Sequence, residues 1–151
     1  PAAPGSVESP ARPHVPLGVI VAIACVAQFM VVLDTSIVNV ALPAMKTGLG
    51  LSTTDQQWVV DGYLITFGGF LLLAARAGDL FGRKWVFQAG LVVFTLASLT
   101  GGLAGDPGLL LGARIVQGIG AAALAPSSLS LITASHPEGE LRHRAMAIWA
   151  M

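Results

Sequence analysis

LGVIVAIACVAQFMVVLDTSIVNVALP, residues 17–43, decides the fold. It holds no charged residue before Asp34, and a helix needs only about 20 apolar residues at 1.5 Å each to cross the hydrocarbon of a bilayer. A run this long predicts a membrane-spanning helix that Pro43 ends. It is also too long for the apolar core of a cleavable signal peptide, so the helix is expected to be retained.

The rest of the chain repeats the pattern. Apolar residues make up 54% and charged residues 11%, with a mean hydropathy of +0.76, whereas soluble domains carry about 25% charge. Further spans are expected at about 56–80, 85–103 and 109–134, with 145–151 opening a fifth helix that the chain leaves incomplete. On that reading the sequence is the first part of a longer protein. Residues 1–16, rich in Pro, Ala and Ser, read as a disordered tail.

Between the first two spans, Lys46, Gly48 and Gly50 precede Ser52–Asp55, whose side-chain oxygens suit the start of a helix. Trp58 and Tyr63 at the start of the second span, and Trp85 at the start of the third, suit the headgroup region. Gly105-Asp106-Pro107-Gly108 is expected to form a tight turn. Arg12, Arg83, Lys84, Arg142 and Arg144 fall on one side of this zigzag and Lys46 on the other, which predicts a cytoplasmic N-terminus.

Two charges lie far inside spans. At 1.5 Å per residue Asp34 sits about 14 Å below the outer end of helix one, and Arg114 about 9 Å below that of helix four. An ionisable group at mid-membrane costs about 2.5–3.5 kcal/mol on insertion scales, so each needs a partner or a wet cavity. Asp61, about 6 Å deep, would let Arg114 sit between two carboxylates, an arrangement suited to loading and releasing a proton. The blander readings are a static ion pair and, for Asp61, compensation of the helix macrodipole.

Gln28, Thr35 and Asn39 share one face of helix one and read as a polar stripe lining a substrate cavity, joined by Gln117 on helix four. Hydrogen bonding between neighbouring helices would explain the same stripe. Gly118 and Ala121, small residues beside Arg114, read as packing residues. Residues 118–123 match the glycine fingerprint of dinucleotide-binding folds, yet they lie inside one apolar run with no strand before them.

Several function classes find no support. Cys25 has no partner for an internal disulfide, and His14, His136 and His143 lack ligand spacing, so no metal or other cofactor is expected. Zero net charge gives no pull toward nucleic acid. No nucleophile and base pair suggests an enzyme.

Three stretches together resemble the major facilitator superfamily, in particular its fourteen-helix drug:proton antiporter branch. LDTSIVNVALP (33–43) resembles that branch's helix-one signature, with Ser36 where Thr is usual; GDLFGRK (78–84) resembles the loop between helices two and three; LLGARIVQGIGAA (110–122) resembles the helix-four motif. The loop departs from the family pattern at Ala75 and Leu80. The resemblance implies an all-α membrane protein: helices one to four and the start of helix five of a major facilitator N-terminal half, lacking its C-terminal remainder.

It also implies alternating access between two six-helix halves. Asp79, Gly82, Arg83 and Lys84 would form a cytoplasmic gating loop, Arg114 would support proton coupling, and Asp34 would be the helix-one site. The expected function is proton-coupled efflux of small amphipathic compounds through the plasma (inner) membrane of a bacterium, with substrate, protons and the lipid bilayer as partners. The alternatives are a proton-coupled uptake transporter of the same fold and a truncated membrane protein that transports nothing.

Overall fold

A computed structural model describes residues 16–135 and 139–150. The expected tail, and His14 and His136, lie outside the described residues apart from Pro16. Among the described residues five helices follow one another: α1 Leu17–Leu49, α2 Thr53–Phe81, α3 Arg83–Gly102, α4 Pro107–Ser135 and α5 Glu140–Trp149. No strand occurs among the described residues. The first four are long and apolar enough to cross a membrane.

Pro43 does not end α1, contrary to expectation. A proline removes one N–H from the ladder, and the turns beyond it are held by packing: Met45 and Leu49 lie against the buried cluster of Val38, Leu51, Val59 and Leu110. Gly50 stops the helix instead, at φ 66°, with its own N–H and that of Leu51 both donating to the Lys46 carbonyl.

The second helix starts at Thr53, earlier than expected, because Ser52 and Asp55 cap each other's backbone. Asp55 N donates to Ser52 Oγ at 3.1 Å, and Ser52 N donates to Asp55 Oδ2 at 2.9 Å. Pro107 opens α4, where its missing N–H costs nothing, and Asp106 Oδ1 accepts from Leu109 N at 2.9 Å. The last helix, α5, begins five residues before the expected 145: Glu140 and Arg144 pair at 2.7 Å along its first turn.

At the centre runs α4, packed against α3, α2 and α1. Half of its most apolar stretch is buried (50%), against 17% for α1 and α2. Glycine makes the crossings possible. A Cβ on Gly118 would collide with the Thr66 hydroxyl and lie 2.6 Å from the Tyr63 carbonyl of α2; one on Gly120 would lie 2.6 Å from Phe94 N of α3. Hydrocarbon supplies no hydrophobic drive between helices, so close backbone approach and dispersion contacts hold the bundle.

The main buried cluster draws Ala27 and Val31 from α1, Tyr63 from α2, Phe87 and Phe94 from α3, and Ala121 and Leu124 from α4. The outward faces are apolar too: Val40 is 82% exposed and Leu72 81%. In water each square ångström of such surface would cost about 25 cal/mol; against lipid chains it costs nothing.

Candidate functional site

The polar centre of this apolar bundle is assembled from three helices. Arg114 of α4 donates from Nη1 to Asp34 Oδ2 of α1 at 2.6 Å and to Gln117 Oε1 at 2.8 Å. Gln117 Nε2 closes the ring by donating to Asp34 Oδ1 at 2.7 Å. Arg114 Nε donates to the Val59 carbonyl of α2 at 3.2 Å, using that oxygen's second lone pair. Arg114 is 3% exposed and Gln117 2%.

One face of the guanidinium rests on an aromatic ring. The Tyr63 centroid lies 4.3 Å from Arg114 Cζ, close enough for a cation–π interaction. That ring stacks in turn on Phe67, with centroids 6.1 Å apart and planes 4° from parallel. The phenol lies beside Thr35 and within the fields of Asp34 and Arg114.

The expected pair of carboxylates around Arg114 is not formed. Asp61 is exposed, and among the described residues it makes no ion pair. Val59 and Tyr63 are four apart on the face of α2 turned to α4; Asp61, two residues from each, points about 200° away. Tyr63, expected at the headgroups, is instead 3% exposed in the core.

The expected cavity stripe divides. Gln117 belongs to the ion-pair ring, with both ends of its amide engaged. The Thr35 hydroxyl donates to the Val31 carbonyl at 3.2 Å, and Asn39, exposed, donates to the Thr35 carbonyl at 2.9 Å. Gln28 lines a cleft, about 470 Å³ in volume, with Cys25, Phe29, Val32 and Trp149; its Oε1 is buried without a partner among the described residues.

The α2–α3 turn holds a second cluster. Asp79 and Arg83 approach to 3.9 Å, and Arg83 Nη1 donates to the Ser130 carbonyl of α4 at 3.4 Å. Gly82 takes φ 95° between the helices, a conformation that favours glycine, and Lys84 is exposed. The turn is therefore tied to the last part of α4.

Two contributors escaped the sequence reading. Tyr63 was read as a headgroup residue, and the signal that could have placed it in the core is its i, i+4 spacing from Phe67. Trp149 of α5 donates from Nε1 to Ser128 Oγ at 3.1 Å, a contact nothing in its local sequence signals. Among the described residues, no group of three His, Cys, Asp or Glu side chains could hold a metal ion.

A family model described as Major Facilitator Superfamily matches residues 24–151. Similar curated proteins include a cephamycin export protein of Amycolatopsis lactamdurans, 48% identical over 126 residues that cover 83% of this chain and 26% of that protein. A puromycin resistance protein of Streptomyces alboniger is 49% identical over 82% of this chain and 24% of its own length. A methylenomycin A resistance protein of Streptomyces coelicolor is 41% identical over 92% of this chain and 29% of its own. The chain thus spans about a quarter of the length of the curated relatives it matches.

Proposed function

The chain belongs to the major facilitator superfamily, and from that premise we propose that it provides the proton-handling helices of an exporter exchanging small amphipathic compounds for protons. It is an integral membrane protein of a transporter family, and the cephamycin and puromycin relatives are named for export and resistance. The observation that carries the proposal is the ion pair between Asp34 and Arg114, buried between α1 and α4.

A carboxylate held this way is a proton site with two defined states. Ionised, Asp34 locks α1 to α4 through Arg114 and Gln117. Protonated, it loses the charge attraction to Arg114, and the opened pair couples proton uptake to the rocking of this half against the other. Gln28 and the cleft beside it line the substrate path on this reading. The Asp79, Arg83 and Ser130 contacts form and break as a gate at the opposite end from Lys46. With Arg83, Lys84, Arg142 and Arg144 at that end, the N-terminus is cytoplasmic, in the plasma membrane of a bacterium.

The relatives' names supply the probes. Inverted membrane vesicles containing the complete gene product and holding a proton gradient are challenged with puromycin, a cephamycin and methylenomycin A. At least one compound is expected to drive proton release, and Asp34→Asn is expected to reduce that release at least tenfold. Vesicles that respond to none of the three overturn the export reading. Full release by Asp34→Asn leaves the ion pair as a fixed packing element and removes proton coupling from it.

A further inference from the structure

We infer that the ring face of Tyr63 is what retains Arg114 when Asp34 carries a proton, and that Tyr63 thereby sets the pH at which exchange runs. The inference rests on the proton-coupled reading above. Protonation of Asp34 removes the partner charge, but a guanidinium does not give up its own proton, so Arg114 stays positive in an apolar bundle. Its remaining neighbours are the Val59 carbonyl, the Gln117 amide oxygen and the Tyr63 ring. All three already touch Arg114 in the paired state; the first two are neutral dipoles, whereas the ring offers a broad negative face at 4.3 Å, whose hold on the cation strengthens once Asp34 no longer neutralises it.

The ring is held where it can do this. Tyr63 is 3% exposed and stacks on Phe67. Its backbone is pressed against α4 at Gly118, where a Cβ would lie 2.6 Å from the Tyr63 carbonyl. A ring so confined cannot turn away when the ion pair opens. Tyr63 is therefore a positioning residue, acting on the proton through Arg114.

Among the described residues, no other titratable group is placed against Arg114 by an ion pair or hydrogen bond. Asp34 and Thr35 face the site from α1, Arg114 and Gln117 from α4, and Tyr63 from α2, whose Asp61 points away. Beyond Arg83 and Lys84 at its start, α3 carries no titratable residue. The charges of α5, Glu140, Arg142, His143 and Arg144, precede Met146, which packs with Val21, Ala24 and Ile132. Val21 is about 20 Å along α1 from Asp34.

The test separates ring face from hydroxyl and from bulk. In the complete gene product, Tyr63→Phe keeps the ring and is expected to leave the pH profile of drug-driven proton release unchanged. Tyr63→Leu removes the ring, makes the open state costlier, and is expected to move the pH of half-maximal release down by about one unit. Because Tyr63→Leu can also fail to fold, mono-, di- and trifluorophenylalanine are placed at the same position by nonsense suppression. These drain the ring face at nearly constant volume, and a graded movement of the profile toward lower pH is expected.

A flat fluorination series, or a Tyr63→Phe profile moved as far as that of Tyr63→Leu, overturns the role of the ring. Asp34→Asn is measured in parallel: loss of coupling there with a flat series sinks only the Tyr63 inference, whereas full coupling in Asp34→Asn removes both.

Discussion

Arg114 Nη1 and Asp34 Oδ2 stand 2.6 Å apart, although 80 residues of chain separate them. The contact joins α4, the most enclosed helix, to α1, among the least enclosed. It is one of few polar links across an otherwise apolar bundle, so its loss is felt in both stability and transport.

Arg114→Ala leaves Asp34 in an apolar setting without its counter-charge. Removing one member of a buried pair costs about 3–5 kcal/mol, and that loss is expected in unfolding of the purified chain in mixed micelles. Adding Asp34→Asn in the same background is expected to recover part of it, because the stranded charge is gone. A double variant no more stable than Arg114→Ala would show that the charge was not the source of the loss.

Gly118→Ala drives a methyl group into the Thr66 hydroxyl and the Tyr63 carbonyl, and backbone cannot step aside cheaply. A loss of about 1–3 kcal/mol is expected from such overpacking. Gly112→Ala, six residues earlier on the same helix, meets nothing within 4 Å and is expected to be neutral or to gain up to about 1 kcal/mol from helix propensity. Thermal unfolding followed by circular dichroism compares the two.

Asp61→Asn is expected to leave drug-driven proton release within about twofold of wild type and stability within about 0.5 kcal/mol, since the carboxylate is exposed and pairs with nothing among the described residues. A loss as deep as that of Asp34→Asn would return Asp61 to the proton path.

Ser52→Ala removes the hydroxyl that accepts from Asp55 N at the head of α2. About 0.5–2 kcal/mol of stability is expected to go with it. Hydrogen exchange should locate the change in the first turn of α2, with the amides of α4 unaffected.

The number, order and rough limits of the spans were legible because hydropathy is a local property: an apolar run long enough to cross hydrocarbon declares itself without reference to any other segment. Caps were partly legible for the same reason. Ser52 and Asp55 act on their own backbone, while Pro43 misled, because what carries α1 past it is the packing of Met45 and Leu49 on residues far along the chain. The fifth helix was expected only from 145, whereas the Glu140 to Arg144 spacing supports a helical turn before it.

By itself, then, the sequence determined that this chain crosses a membrane and that Asp34 and Arg114 are charges in need of partners. Which partners they have was decided by tertiary structure. Whether Arg114 meets Asp34 or Asp61 depends on the angle each residue takes around its helix and on how closely Gly118 lets α2 and α4 approach. Those are relations between helices, and they place Tyr63, read from the sequence as a headgroup residue, on the face of the buried cation.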